Sequence, residues 1–216
     1  MKKVMTGWLA ALALACLSIA LPAHAQLAVG QDYTVIEPAQ RTDDPSRIEV
    51  VEFFSYGCPH CSEFHPHVSK WAANLPSDVV FKRIPVSFNR PQWANLARLY
   101  YALEVTGDVA RLDGEVFRAL HDKGLKLIDE KSISDWAVSQ GVDAKKFSDA
   151  YNSFGVVSKT KRADQMAQAF KIHGVPALAV NGRYMVVGQG IQNIADLLPL
   201  TDKIIDKVRT ERKAKK

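Results

Sequence analysis

Residues 47–61 read Arg-Ile-Glu-Val-Val-Glu-Phe-Phe-Ser-Tyr-Gly-Cys-Pro-His-Cys, and this stretch decides the fold. Arg47 to Ser55 concentrates Val, Ile and Phe, the composition of a buried strand, and it runs into Tyr56-Gly57, a turn signal. Pro59 suits the first turn of a helix, where a missing N–H is no loss and a fixed φ helps. Phe64, Val68, Trp71 and Leu75 then recur at spacings of four, three and four, one apolar stripe on a helix ending near Asn74 to Pro76. Pro66 falls inside that helix and is expected to kink it. Val79 to Val86 is a second strand, so the opening is strand, Cys-x-x-Cys turn, helix, strand.

From Gln92 to about Phe170 the β-branched runs disappear and apolar residues fall at helical spacing. Leu96, Leu99, Tyr100 and Leu103 mark one helix ending before Gly107; Leu112, Val116, Phe117 and Leu120 mark a second ending before Gly124. Ser132, with Asp135 three residues on, predicts a capped helix start, and further helices are expected over Ala144 to Ser153 and Ser158 to Ile172. Strand composition returns at Pro176 to Val180 and Arg183 to Val187, and the Asn181-Gly182 between them is a strong hairpin signal. A last helix is marked by Ile194, Leu197, Leu198, Ile205 and Val208. The order is that of a split α/β domain: residues 26–90 and 164–216 form the α/β unit, and residues 91–163 an inserted all-helical domain.

The first 25 residues read as a cleaved secretory signal: Lys2 and Lys3, an apolar run from Trp8 to Leu21, and a small-x-small site at Ala23-His24-Ala25. The run is broken by Ser18 and closed by Pro22, short for a bilayer span of about 20 residues, so a permanent anchor is the lesser reading. Lipidation at Cys16 would leave a truncated apolar core and is also set below cleavage. Export implies an oxidising compartment, and the expected location is the periplasm. The whole chain has 28 Lys and Arg against 23 Asp and Glu, net +5. The basicity is concentrated from Lys203 to Lys216, where seven cations face only Asp206 and Glu211. No aromatic residues interleave with these cations as on a base-stacking surface, so no nucleic-acid partner is expected; a solvated, frayed helix end is.

With the leader removed, Cys58 and Cys61 are the only cysteines, which makes one redox pair. A thiol just before a helix start faces unpaired N–H groups and the positive end of the helix dipole, both of which favour thiolate, so the pKa of Cys58 should fall. Cys61, one turn inside, would be more buried and would resolve a mixed disulfide. His60, between them, would stabilise the thiolate further as a cation or N–H donor. Stabilising the reduced state makes the disulfide a better oxidant, by roughly 30 mV for each pKa unit. The competing readings are a structural disulfide and half a zinc site. Zinc would need two more ligands, which His65 and His67, at i and i+2, do not supply from one helix face, and no metal is expected.

Glu52-Phe53-Phe54-Ser55 leading into Cys58-Pro59-His60-Cys61, together with Gly174-Val175-Pro176-Ala177, Val180-Asn181-Gly182 and the helical block, resembles the DsbA family of periplasmic thiol oxidases over essentially the whole mature chain. The family is itself a standard instance of a depressed thiolate pKa, so the direction argued above agrees with the resemblance and is not independent of it. The resemblance implies a thioredoxin-like α/β fold with an inserted helical domain, and Cys58 as the sulfur that attacks or is attacked while Cys61 resolves. It also implies a cis Pro176, with Val175 offering its backbone to an extended substrate, and Glu52 as a buried acid taking a proton when the thiols form a disulfide. From spacing alone Pro176 would be trans and Glu52 could equally be an ordinary charge at a strand end. Implied partners are unfolded secreted proteins and a quinone-linked, DsbB-like membrane protein that reoxidises the pair. The redox-active Cys58–Cys61 disulfide stands in for any cofactor, and a monomer is expected.

Arg83 stands where some members carry a lysine near the buried acid, and Glu63 and His65 fall where members vary in acidity. Trp71, Trp93 and Trp136 read as core, and His121 and His173 as solvated. Three other functions compete. An isomerase resembling DsbC would carry an N-terminal dimerisation domain, whereas residues 26–57 are filled by the first strands. A thioredoxin-like reductase would more typically hold Gly-Pro between its cysteines and work in a reducing compartment. A peptide-binding chaperone would tolerate loss of Cys58.

Overall fold

The computed structural model describes residues 27–214. The expected leader over residues 1–25, Cys16 within it, and Lys215 and Lys216 lie outside the described residues. Five strands form one sheet: β1 (Tyr33–Val35), β2 (Ile48–Phe54), β3 (Val79–Pro85), β4 (Ala177–Val180) and β5 (Tyr184–Val186), in the order β1-β5-β4-β2-β3. β2 runs parallel to β3, while β4 is antiparallel to both β2 and β5, and β1 antiparallel to β5.

All seven residues of β2 are buried, as the unbroken apolar run requires of an interior strand covered on both faces. Alternate side chains serve opposite layers. Ile48 and Val50 pack with Phe64 and Val68 of α1 (Pro59–Ala72) and with Leu198, Ile204, Ile205 and Val208 of α7 (Leu197–Ala214). Val51 and Phe53 pack on the other face with Ala167 and Phe170 near the end of α6 (Phe154–Ala169). Helix α1 continues through Pro66.

The helical block comprises α2 (Pro91–Thr106), α3 (Val109–Phe117) running on into a π-helical turn at Arg118–Asp122, α4 (Glu130–Ser139), α5 (Ala144–Asn152) and the start of α6. Its core joins Leu99, Leu103, Val116, Phe117, Ile133, Phe147 and Tyr151 to Phe54, Tyr56, Cys58 and Cys61, so the block packs directly on the thiol turn. Helix α6 passes unbroken through residues 163 and 164, where the sequence-based division falls, and so belongs to both units.

Two helix starts differ from expectation. Asp129, not Ser132, caps α4: its carboxylate accepts from the Ser132 N–H at 2.8 Å, and Ser132 at the third helical position closes the capping box. Ser153 caps α6, accepting from Val156 N–H at 3.2 Å, so this helix starts about a turn earlier than its apolar periodicity indicates.

The β4–β5 turn has φ of 54° at Asn181 and 63° at Gly182, the left-handed pair that an Asn-Gly hairpin demands. A Cβ on Gly182 would stand 2.1 Å from the Gln40 carbonyl oxygen, so that position is closed to any side chain. The basic end of α7 is not frayed over the described residues. Arg209 holds both oxygens of Asp78 at 2.7 and 2.8 Å, and Arg212 donates to the Arg47 carbonyl and Asn181 Oδ1, both at 2.8 Å. Two of the cations thus lace the last helix to the starts of β2 and β3 and to the hairpin. Among the described residues no helix is long and apolar enough to cross a membrane.

Candidate active site

Cys58 is the N-cap of α1, with extended backbone (φ −97°, ψ 119°), and Pro59 opens the helix. An oxygen side chain commonly fills this position to accept from the first helical N–H groups; here a sulfur occupies it and makes no side-chain capping hydrogen bond. Both cysteines are free thiols. Cys58 is 7% exposed and Cys61 0%, so only the first sulfur can be reached from solvent.

Their acidities diverge. The Cys61 S–H donated to Cys58 is the largest influence holding the Cys58 thiol down, to about 6; the backbone N–H groups of Cys61 and His60 and the charge of His60 add to it against a smaller effect of burial. Burial pushes the Cys61 thiol far up, helped by its hydrogen bond to Cys58 and by the nearby Cys58 and Glu52 charges. His60 itself is turned to solvent, its Nδ1 3.2 Å from Glu63 Oε2, and Glu63 raises its pKa. Of the named influences on Cys58, the His60 charge is the smallest.

Across from the thiols lies the segment before β4. The Val175–Pro176 bond is cis, and Cys58 Sγ, as a thiol, donates to the Val175 carbonyl oxygen at 3.3 Å. The pairing of Phe53 with Ala177 sets this approach, because it brings the start of β4 beside the end of β2, which feeds the thiol turn. The backbone of Val175 and the sulfur of Cys58 therefore share one patch of surface.

Beneath α1 is a buried charge cluster. Glu52, 0% exposed, faces Arg83 across the β2–β3 ladder and accepts from its Nε at 2.6 Å. Arg83 sits over the Phe54 ring, its Cζ 3.8 Å from the ring centre, and its Nη1 also reaches Asp113 of α3. Asp113 Oδ1 accepts from the Tyr56 hydroxyl at 2.6 Å, and Oδ2 is 3.5 Å from His65 Nδ1. Glu52 Oε1 and Arg83 Nη2 have no hydrogen-bond partner. Burial raises the Glu52 pKa against the pull of Arg83, and the Asp113 charge raises it further. The neighbouring carboxylates keep Arg83 cationic, overcoming its own burial. Burial lowers the pKa of His65.

The structure thus gathers Glu52, Cys58, Pro59, Cys61, Val175 and Pro176 around one turn, with His60 at its rim. Sequence reasoning missed Asp113, Tyr56 and Trp93. Asp113 carries a usable signal: Val116 and Phe117, three and four residues on, place it on the buried flank of its helix. Trp93 is not simply core. It covers the turn itself, so closely that a Cβ on Gly57 would come 2.6 Å from its Nε1, and Arg90 stacks on its outer face at 4.6 Å. Trp136 is buried as expected, whereas Trp71 is half-buried and donates to Asp202 at 2.9 Å. His121 is not solvated but half-buried, its Nε2 2.7 Å from the Tyr56 carbonyl oxygen; His173 is exposed.

Comparison with known proteins adds an independent line. A family model described as "DSBA-like thioredoxin domain" matches residues 49–198. The Thiol:disulfide interchange protein DsbA of Bordetella parapertussis is 44% identical over 180 residues, 83% of this chain and 85% of that relative. The protein of the same name from Burkholderia cepacia is 33% identical over 213 residues, 98% of this chain and 100% of that relative. The crystal structure of Pseudomonas aeruginosa DsbA superposes with a TM-score of 0.81 at 33% identity, covering 87% of this chain and 97% of that chain. The α/β, thioredoxin-like fold expected from the sequence is the fold of these neighbours.

Proposed function

The chain belongs to the DSBA-like thioredoxin domain family and is a thiol:disulfide oxidoreductase, and from that premise we propose that Cys58 and Cys61 are the exchanging pair, with Glu52 as their proton store. In the oxidised protein a substrate thiolate attacks the Cys58 sulfur, the sulfur that solvent reaches. The Cys58–Cys61 bond breaks, its electron pair goes to Cys61, and that sulfur takes the Glu52 proton. A second substrate thiolate then attacks the substrate sulfur of the mixed disulfide and expels Cys58 as a thiolate. The substrate leaves with a disulfide and the protein retains the dithiol.

The single observation that carries this reading is the placement of one low-pKa sulfur at a helix N-cap above a second, fully buried one. A thiol of low pKa is a good leaving group, which favours giving the disulfide away. The Val175 backbone beside Cys58 would align an extended substrate strand while exchange proceeds, with cis Pro176 shaping that edge. His60 and Pro59 tune the turn.

The substrates are unfolded secreted proteins in the periplasm, and the spent dithiol returns to the disulfide through a quinone-linked, DsbB-like membrane protein. The disulfide is the only redox group the reaction uses, and the protein works as a monomer. Residues 91–163 act as the inserted helical domain, residues 26–90 and 164–216 as the thioredoxin-like unit, and residues 1–25 as the export signal.

The test is a trap. Cys61→Ala, charged with an activated disulfide at Cys58, should accumulate a covalent complex with an unfolded client that carries a single thiol, a complex that survives non-reducing electrophoresis and collapses with dithiothreitol. Cys58→Ala should trap nothing. Equal trapping by the two variants would overturn the assignment of roles, and trapping by Cys58→Ala alone would reverse it.

A further inference from the structure

Asp113 ties the helical block to the strand, the turn and the helix that surround the thiols. It stands on α3, yet its two oxygens engage Arg83 on β3, Tyr56 in the turn before Cys58, and His65 on α1. Through Arg83 it is one step from Glu52 on β2. One guanidinium therefore serves a fully buried carboxylate and a partly buried one, and Glu52 holds only a share of its charge.

We propose that Asp113 is a positioning residue through which the helical block sets how readily Glu52 holds the proton that Cys61 exchanges. The proposal rests on the reading of Glu52 as the proton store. The physical argument is charge sharing. Two carboxylates around one cation cannot both be fully compensated, so the more buried one keeps its proton more easily. Glu52 is the more buried, at 0% of its side chain against 14% for Asp113. The Tyr56 hydroxyl already donates to one Asp113 oxygen, so Asp113 draws on Arg83 less strongly than it would without that partner. The unpartnered Glu52 Oε1 and Arg83 Nη2 fit the same account: a guanidinium committed to Glu52 alone would be free to engage both oxygens, and this one is pulled toward Asp113 instead. The groups that face the cluster are Glu52 and Cys61 from the thiol unit, Arg83, Tyr56, His65, Tyr100 on α2, and Arg118, whose charge reaches His65.

The experiment is a carboxyl 13C titration of Glu52 in the protein lacking residues 1–25, with the pH profile of mixed-disulfide formation with a thiol peptide measured on the same variants. Glu52→Gln assigns the signal. Asp113→Asn should lower the Glu52 midpoint by about one pH unit and move the upper limb of the rate profile down with it; Asp113→Glu should restore both. Tyr56→Phe keeps the ring and removes only the hydroxyl, so Asp113 pulls harder on Arg83 and the midpoint should rise. That variant decides the matter should Asp113→Asn not fold. A Glu52 midpoint unmoved in the folded variants overturns the coupling. In a Glu52→Gln background, Asp113→Asn should leave the rate profile where Glu52→Gln alone puts it, and an additional shift there would also overturn the proposal. If Glu52→Gln alone leaves the wild-type profile unchanged, the reading of Glu52 as proton store has failed, a result distinct from failure of the coupling.

Discussion

Cys58→Ser reduces disulfide transfer to the uncatalysed background and leaves the fold intact. The loss is complete because, among the described residues, the substitution leaves Cys61 with no partner thiol, so the variant holds no disulfide to give, and Cys61 itself is 0% exposed beneath the first turn of α1. The fold survives because serine is among the preferred residues at an N-cap and its oxygen can accept from the same N–H groups that now face the sulfur. The check is the rate at which a reduced, unfolded dithiol protein regains its disulfide, alongside circular dichroism of the variant. This result also separates enzyme from chaperone, since a peptide-binding module would keep suppressing aggregation and would be indifferent to the sulfur. Transfer persisting in the folded variant would remove Cys58 from the reaction.

The second large effect is on stability, and its sign follows from the direction of the Cys58 shift. In the reduced protein the folded state holds this thiol at about 6 against an ordinary 9.0. A depressed folded pKa means that the thiolate favours folding. The contribution is fully present above the unfolded value and is lost as the pH falls through about 6. Cys61 acts in the opposite sense. Its raised pKa keeps it protonated where the unfolded chain would ionise, so above about 9 the gain stops and reverses. The oxidised protein has neither titration, and Glu52 is common to both forms.

Subtracting one melting curve from the other therefore isolates the thiols. The reduced form should gain on the oxidised form between about pH 5 and pH 8.5, by on the order of 2 kcal/mol after discounting for solvent screening around the sulfur, or roughly 4–8 °C in Tm. Thermal unfolding of both forms at the two pH values is the check. A gap that does not change with pH would mean that the folded protein does not stabilise the thiolate.

Much of this was legible in the sequence, for physical reasons that differ by element. β2, the thiol turn and α1 are set by local rules: an apolar run, a turn glycine, a proline at a helix start and a 3.6-residue stripe agree with one another over residues 47–75. The Asn181-Gly182 hairpin is fixed just as locally, by two left-handed positions and the Gln40 carbonyl against Gly182. What could not be read depends on contacts between distant segments. Asp113 meets Tyr56 across 57 residues and Arg83 across 30, and nothing in a helical run of mixed polarity announces those partners. The end of α7 looked solvated because its cations have few acids nearby in sequence; Arg209 instead finds Asp78, 131 residues away. The hydroxyl of Ser132 suits a cap, but Asp129 occupies the position where the backbone turns extended.

The central claim is that the fold holds Cys58 as a thiolate at neutral pH and so drives the disulfide outward onto other proteins. The rate of Cys58 alkylation against pH, in reduced protein lacking residues 1–25, tests it most directly, because Cys61 is buried and does not compete. The account predicts a midpoint near 6; a midpoint near 9, that of an ordinary thiol, would contradict it.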